Sequence, residues 1–257
     1  MTGKIRVEID DEAIATLTID NPRKRNAWTE QMRDELIQAV TELSAAPPDT
    51  CRAIVLTGEG PDAFCAGEDL SVAIEFTPEN AGVDQYRDLF SLIRRAPKPI
   101  IAAIRGVAAG SGMQLALCAD YRVSHPDVRF GQPEVRTGQA SVTGSWLLAQ
   151  SVGIAKMRSL VLSGELVRGS EAWRLGLVDL LTDSDAVHST ARTVALRLSE
   201  APIEAYAATK RAICDMEEQS FQAAFDIANE THAWVASTDA AQRGISKFFE
   251  SRPSRVK

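Results

Sequence analysis

The chain has 257 residues, 45% hydrophobic and 25% charged, with 28 Lys and Arg against 35 Asp and Glu for a formal net charge of -7. That composition excludes a small disulfide-stapled scaffold and a chain disordered throughout, and its negative charge opposes a dedicated nucleic-acid binder. No apolar stretch approaches the roughly 20 residues of a membrane span, and the N-terminus has no apolar signal core, so a cytoplasmic location is expected.

Ile5, Val7 and Ile9 alternate with polar residues, and after the acidic turn at residues 10–12 the alternation resumes over residues 13–19, the pattern of a β-hairpin. Asn21-Pro22 ends the sheet. Thr29 is a candidate N-cap, and Met32, Leu36, Ala39, Val40 and Leu43 recur at helical spacing until Pro47-Pro48. Residues 53–57, 100–104 and 121–123 are short apolar runs that read as buried strands. Glycine-containing turns follow at residues 64–67, before a helix that Asp69 would cap, and at residues 106–112, before a helix over 113–119. The alternation predicts stacked ββα or βαβ units. From Trp146 onward the pattern is almost wholly helical, with main periods at residues 186–198, 202–216, 221–236 and 239–249. No repeat, low-complexity tract or linker forces a domain cut.

Cys51, Cys65, Cys118 and Cys214 form no C-x-x-C pair, and His125, His188 and His232 have no i,i+4 partner, so buried reduced thiols and no metal site are expected. The segment Gly106-Val-Ala-Ala-Gly110-Ser111-Gly112 follows a buried strand and opens a helix. It fails the dinucleotide fingerprint at Leu115, lacks a P-loop lysine, and is not G-x-S-x-G. What remains is a backbone approach, in which N–H groups at a helix start point at a negative oxygen, or tight packing alone. A second small-residue turn, Phe64-Cys65-Ala66-Gly67-Glu68-Asp69-Leu70, and a carboxylate in Phe130-Gly131-Gln132-Pro133-Glu134 complete a set suited to enolate chemistry. Backbone donors hold the oxyanion while the carboxylate moves a proton beside the carbonyl.

At these segments the sequence resembles the crotonase superfamily, the enoyl-CoA hydratase/isomerase family. The resemblance extends from Asn21-Pro22 and Asn26-Ala27 to a closing Phe249-Glu-Ser-Arg252-Pro253. It implies an α/β spiral of stacked ββα units over residues 1–190, a helical C-terminal region over residues 191–257 that builds a trimer or dimer of trimers, and a CoA-thioester substrate with no separate cofactor. Carried over by position, the oxyanion hole falls to the N–H groups of Ala66 and Ser111, and the catalytic carboxylate to Glu134. Gln114 stands where hydratases carry a second glutamate, and Ser111 replaces a glycine. The loop over residues 138–145 offers no further acid. The resemblance places CoA against Arg25, Ala27, Ala66, Gly67 and Gly110, its adenine near Glu68, Asp69 and Leu70, and phosphates near Arg25 and Lys247.

Three other readings compete. A Clp-type serine peptidase of the same architecture would use Ser111, but no histidine stands near Phe130-Gly131 to activate it. An RNA-binding homologue would draw on Arg23, Lys24 and Arg25 against an adverse net charge. A non-catalytic acyl-CoA binder would have lost chemistry along with the second glutamate. With Gln114 in place, isomerisation is at least as well supported as hydration, because an amide holds a water but cannot take its proton.

Overall fold

The computed structural model describes residues 3–69 and 83–250. Strand β1 (Lys4–Ile9) pairs antiparallel with β2 (Ile14–Asp20), as the alternation predicts, with Val7 opposite Leu17. The Asp10 carboxylate holds the hairpin turn by accepting the N–H groups of Glu12 and Ile14 at 2.9 and 3.0 Å. Helix α1 (Glu30–Ala45) starts at Thr29, whose Oγ1 accepts the Met32 N–H at 3.4 Å, and it buries the residues its periodicity marks. The last α1 carbonyls would otherwise lack donors. The buried Lys98 ammonium fills that role, donating to the carbonyls of Leu43 and Ala46.

Three units then repeat one path. Strands β3 (Ala53–Gly58), β5 (Ile100–Ala103) and β7 (Tyr121–Ser124) lie parallel in one sheet, while β4 (Ala63–Cys65), β6 (Val107–Ala109) and β8 (Arg129–Gly131) lie parallel in a second. Helices α2 (Val83–Arg95), α3 (Ser111–Cys118) and α4 (Thr143–Ser163) follow the successive pairs. Each turn of the chain therefore lays one strand in each sheet before its helix, which is the expected ββα spiral. With β9 (Val167–Arg168) and β10 (Leu180–Leu181), the sheets run β1-β2-β3-β5-β7-β10 and β4-β6-β8-β9. The chain continues through α5 (Gly169–Arg174), α6 (Val187–Leu198), α7 (Ile203–Ala236) and α8 (Ala240–Glu250).

The apolar runs of the long sheet are continuous because both faces are covered. Ile54, Leu56, Ile100 and Ala102 face the main core, whereas Ala53, Val55, Ile101 and Ala103 pack with Val187, Ala191, Val194 and Ala195 of α6. Helix α7 enters the main core through Phe221, Phe225 and Ala228.

Several expectations need correction. Residues 202–216 and 221–236 form one 34-residue helix, α7, because the polar stretch between them contains no breaker. Its Glu217 and Glu218 instead pair with Arg94 and Arg95 of α2, both at 2.7 Å. The stretch after Trp146 also contains β9 and β10, whose two residues each are too short for a period-two signal. Helix α3 begins at Ser111, two residues before the predicted start, so the serine itself is its first residue. The helix that Asp69 was expected to cap, the site residue Leu70 and the terminal motif from residue 251 lie outside the described residues. All four cysteines are buried and free.

Candidate active site

The three segments singled out in the sequence lie at the carboxyl ends of β4, β6 and β8, parallel neighbours in the short sheet. That is where open α/β sheets gather their ligands. Asn26, fully buried with φ 55°, organises the approach by donating to the carbonyls of Glu59 and Ala63 at 3.0 and 2.6 Å. The chain then runs beside the β4 turn, where the Trp28 N–H donates to the Gly67 carbonyl at 3.1 Å and the Asp69 N–H to the Trp28 carbonyl at 3.0 Å.

These contacts correct the expected oxyanion pair. The Ala66 N–H is committed to the Arg25 carbonyl at 3.1 Å, because the 21–28 loop pairs with this turn edge to edge. The Glu68 N–H has no acceptor among the described residues, and neither has the N–H of Ser111, which as the first residue of α3 has no partner within the helix. Gly67 brings the two together: at φ 94°, a Cβ there would lie 2.9 Å from the Ala109 carbonyl and 3.5 Å from the Ser111 nitrogen. Two N–H groups without an acceptor among the described residues, those of Glu68 and Ser111, thus flank the close approach of Gly67 to the start of α3. The side chain of Glu68 faces Arg33 and Tyr86.

Glycines hold the turn of α3 in place. Gly110 has φ 56° and ψ -132°, a conformation nearly restricted to glycine. A Cβ on Gly112 would meet the Cys65 carbonyl at 2.3 Å, so for this glycine the packing reading is correct. Gly110 also faces the catalytic candidate, since its Cβ would sit 3.4 Å from Glu134 Oε1.

Glu134 opens a 3-10 turn, Glu134–Thr137, behind β8. Burial pushes its carboxyl up to about 7, against the smaller opposing effects of its own backbone N–H and Gln114. Oε1 accepts the Gln114 amide at 3.4 Å, while Oε2 is buried with no hydrogen-bond partner. Gln114 is spent at both ends. Its carbonyl accepts the Thr143 hydroxyl at 2.8 Å, and its amide also donates to Gln132 Oε1 at 3.2 Å. Gln132 in turn donates to the Gly110 carbonyl at 3.1 Å, tying the Glu134 turn to the α3 turn. Gly144 makes room, since a Cβ there would lie 2.3 Å from Gln132 Oε1. Helix α8 seats on the same turn, where Cβ atoms on Gly138 and Gly244 would meet the backbones of Ala240 and Thr137 at 2.0 and 2.3 Å.

Of the remaining site candidates, Ala27 is buried in the 21–28 loop and Arg25 is exposed there. Asp69 pairs with Lys24 at 2.5 Å, and its N–H is donated to the Trp28 carbonyl. Lys247 is exposed on α8. Sequence reading did not find Trp28, Arg33, Tyr86 or Thr143. Arg33 adjoins the apolar stripe of α1 and resembles a solvated helix residue, and a lone Tyr or Thr gives no pattern.

A family model described as "Enoyl-CoA hydratase/isomerase" matches residues 10–257. The chain belongs to the enoyl-CoA hydratase/isomerase family. A putative enoyl-CoA hydratase of Thermus thermophilus is 32% identical over 97% of this chain and 99% of its own length. The 1,2-epoxyphenylacetyl-CoA isomerase of Escherichia coli is 28% identical over 94% of each chain. An enoyl-CoA hydratase/isomerase structure from Mycobacterium paratuberculosis superposes with a TM-score of 0.85, covering 96% of this chain and 99% of its own at 24% identity, which shows the shared crotonase fold. No helix among the described residues is long and apolar enough to cross a membrane. The Ser111 hydroxyl lies 3.0 Å from Trp28 Nε1 and 3.2 Å from the Tyr86 hydroxyl, neither of which is the histidine base that a serine-peptidase role needs.

Proposed function

We propose that this family member is an enoyl-CoA isomerase that moves a double bond with a single carboxylate, Glu134. The thioester oxygen of an acyl-CoA would sit between the N–H groups of Glu68 and Ser111. Glu134 would take a proton from C2 of a 3-enoyl-CoA, leaving a dienolate whose charge rests on that oxygen, and return a proton at C4 to give the 2-enoyl-CoA. A carboxyl held near neutrality suits both halves of this transfer.

The observation that carries the reading is the pairing of an unpartnered, buried Glu134 Oε2 with a Gln114 whose amide and carbonyl are both occupied. Hydration needs a second group to deprotonate water, and Gln114 has no capacity for it. Incubation with 2-enoyl-CoA and 3-enoyl-CoA esters tests this: interconversion of the two is expected, and 3-hydroxyacyl-CoA as the main product would overturn it.

Arg25 and Lys247 are proposed to approach the CoA phosphates, with Ala27, Gly67, Gly110 and the backbone of Asp69 along the pantetheine and adenine, all without a separate cofactor. Such exposed phosphate contacts weaken with salt, which calorimetry with a CoA ester at two ionic strengths would read. We further propose a homotrimer or dimer of trimers. Leu162 of α4, Trp173 of α5, and Met216 and Trp234 of α7 are 74%, 52%, 79% and 69% exposed, large apolar side chains that such an assembly would cover. A stable monomer in ultracentrifugation at micromolar concentration would contradict it.

A further inference from the structure

We propose that Tyr86 is a positioning residue that locks the two oxyanion donors to each other through their side chains. The inference rests on the reading of Glu68 and Ser111 as those donors. Their N–H groups come from the ends of different strands, β4 and β6, and no hydrogen bond joins the two residues directly. Their side chains meet through one phenol. The Tyr86 hydroxyl contacts Glu68 Oε2 and lies 3.2 Å from Ser111 Oγ.

The protons in this chain have one consistent arrangement. An indole N–H only donates, so Ser111 Oγ accepts from Trp28 Nε1 at 3.0 Å. Glu68 Oε2 pairs with Arg33 Nη1 and, as a carboxylate, only accepts. It therefore takes the single proton of Tyr86, whose oxygen accepts from Arg33 Nη1 at 3.2 Å and has its second lone pair for the Ser111 hydroxyl. The order runs Trp28 to Ser111 to Tyr86 to Glu68, with Arg33 closing the far end. Each proton in it is used once, which turns the Ser111 hydroxyl away from the reacting atoms.

The frame around Tyr86 is rigid. Its ring stands 6.1 Å from that of Trp28 and 5.6 Å from that of Phe90, and the Arg33 guanidinium lies 4.6 Å from its centroid. Arg33 is itself held by Gln85 Oε1 at 2.6 Å, one residue before Tyr86 on α2. Helix α2 thereby sets the spacing between two donors that the short sheet alone does not fix, and preorganised spacing is what an oxyanion hole needs.

The test uses the full-length enzyme with a bound aryl-conjugated enoyl-CoA, whose absorption moves to longer wavelength when its carbonyl is polarised. The wild type is expected to show that shift. Tyr86→Phe is expected to lose most of it and to lower kcat by about 10- to 100-fold, with KM changing less than about threefold. Ser111→Ala keeps the backbone donor, breaks the same chain and is expected to match it, and the double variant is expected to be no worse than either single one. A Tyr86→Phe enzyme with the full shift and wild-type kcat overturns the positioning role while leaving the oxyanion hole standing. Singles that match the wild type, or a double that sums two independent losses, likewise overturn the coupling. A bound wild-type complex without the shift overturns the hole itself and this inference with it.

Discussion

Gln114 donates its amide to Glu134 Oε1 at 3.4 Å and leaves Oε2 of the same carboxyl buried without a partner. One oxygen is oriented, and in the proposed reaction the other meets the substrate. Burial favours the neutral carboxyl, so the group proposed to carry the proton also works against the folded state.

Glu134→Gln is expected to lower turnover by about 10² to 10⁴ and to stabilise the protein at alkaline pH. The carboxyl rises from 4.5 to about 7 on folding. A raised acid binds its proton more tightly in the folded state, so stability is lost as pH climbs from the unfolded value through the folded one. The penalty is absent below about pH 4.5 and complete above about 7, at as much as about 3 kcal/mol. Thermal unfolding should show the variant melting above the wild type at pH 8, with the gap shrinking toward pH 5. An equal gap at both would mean that burial does not raise this group.

The same carboxyl is expected to set the rising limb of the pH–rate profile. Activity as kcat/KM should climb through about pH 7 as Glu134 ionises. Gln114→Glu places a like charge beside it, which moves the limb upward and supplies a second base. Formation of 3-hydroxyacyl-CoA by that variant is the expected new product, read by chromatography. An unmoved limb and no hydration would show that position 114 does not reach the reacting centre.

Gly112→Ala tests the join between β4 and α3. Its added methyl would stand 2.3 Å from the Cys65 carbonyl, a backbone atom with no rotamer to yield. Overpacking of this kind costs roughly 1–3 kcal/mol, and denaturant unfolding should show it. Gly60→Ala is the control, since nothing lies within 4 Å of a Cβ there; its φ of 74° alone should cost less.

Helix α8 reaches the site through backbone contact. Gly244→Ala forces a methyl toward the Thr137 carbonyl, 2.3 Å away on the turn that begins with Glu134. The expected outcome is a lower kcat alongside faster proteolysis within α8. Unchanged kcat would separate the helix from the chemistry.

Much of this was legible in the sequence, and the boundary follows from what periodicity and local chemistry encode. The β1–β2 hairpin, α1 with its Thr29 cap, and the continuous apolar strands β3 and β5 followed from alternation, capping and burial on both faces. The carboxyl ends of β4, β6 and β8 were marked by glycine, proline and one carboxylate. The choice of N–H donor was not legible. Whether Ala66 or Glu68 is free depends on where the Arg25 carbonyl falls, a contact set by a loop 41 residues away along the chain. The Arg33–Glu68–Tyr86–Ser111 chain was equally hidden, because four elements each contribute one unremarkable polar residue. The unity of α7 was missed for a simpler reason: a polar stretch within a helix has the pattern of a loop until its partners Arg94 and Arg95 are in place.

The central claim, that Glu134 alone carries the proton, is tested most directly by incubating a 3-enoyl-CoA in deuterated water with the wild type and with Glu134→Gln, following label at C2 and C4. The wild type should yield 2-enoyl-CoA with less than one full deuterium at C4, because part of the proton taken from C2 is returned before it exchanges. The variant should neither convert the ester nor exchange its C2 protons. Exchange at C2 by Glu134→Gln at the wild-type rate would contradict the account.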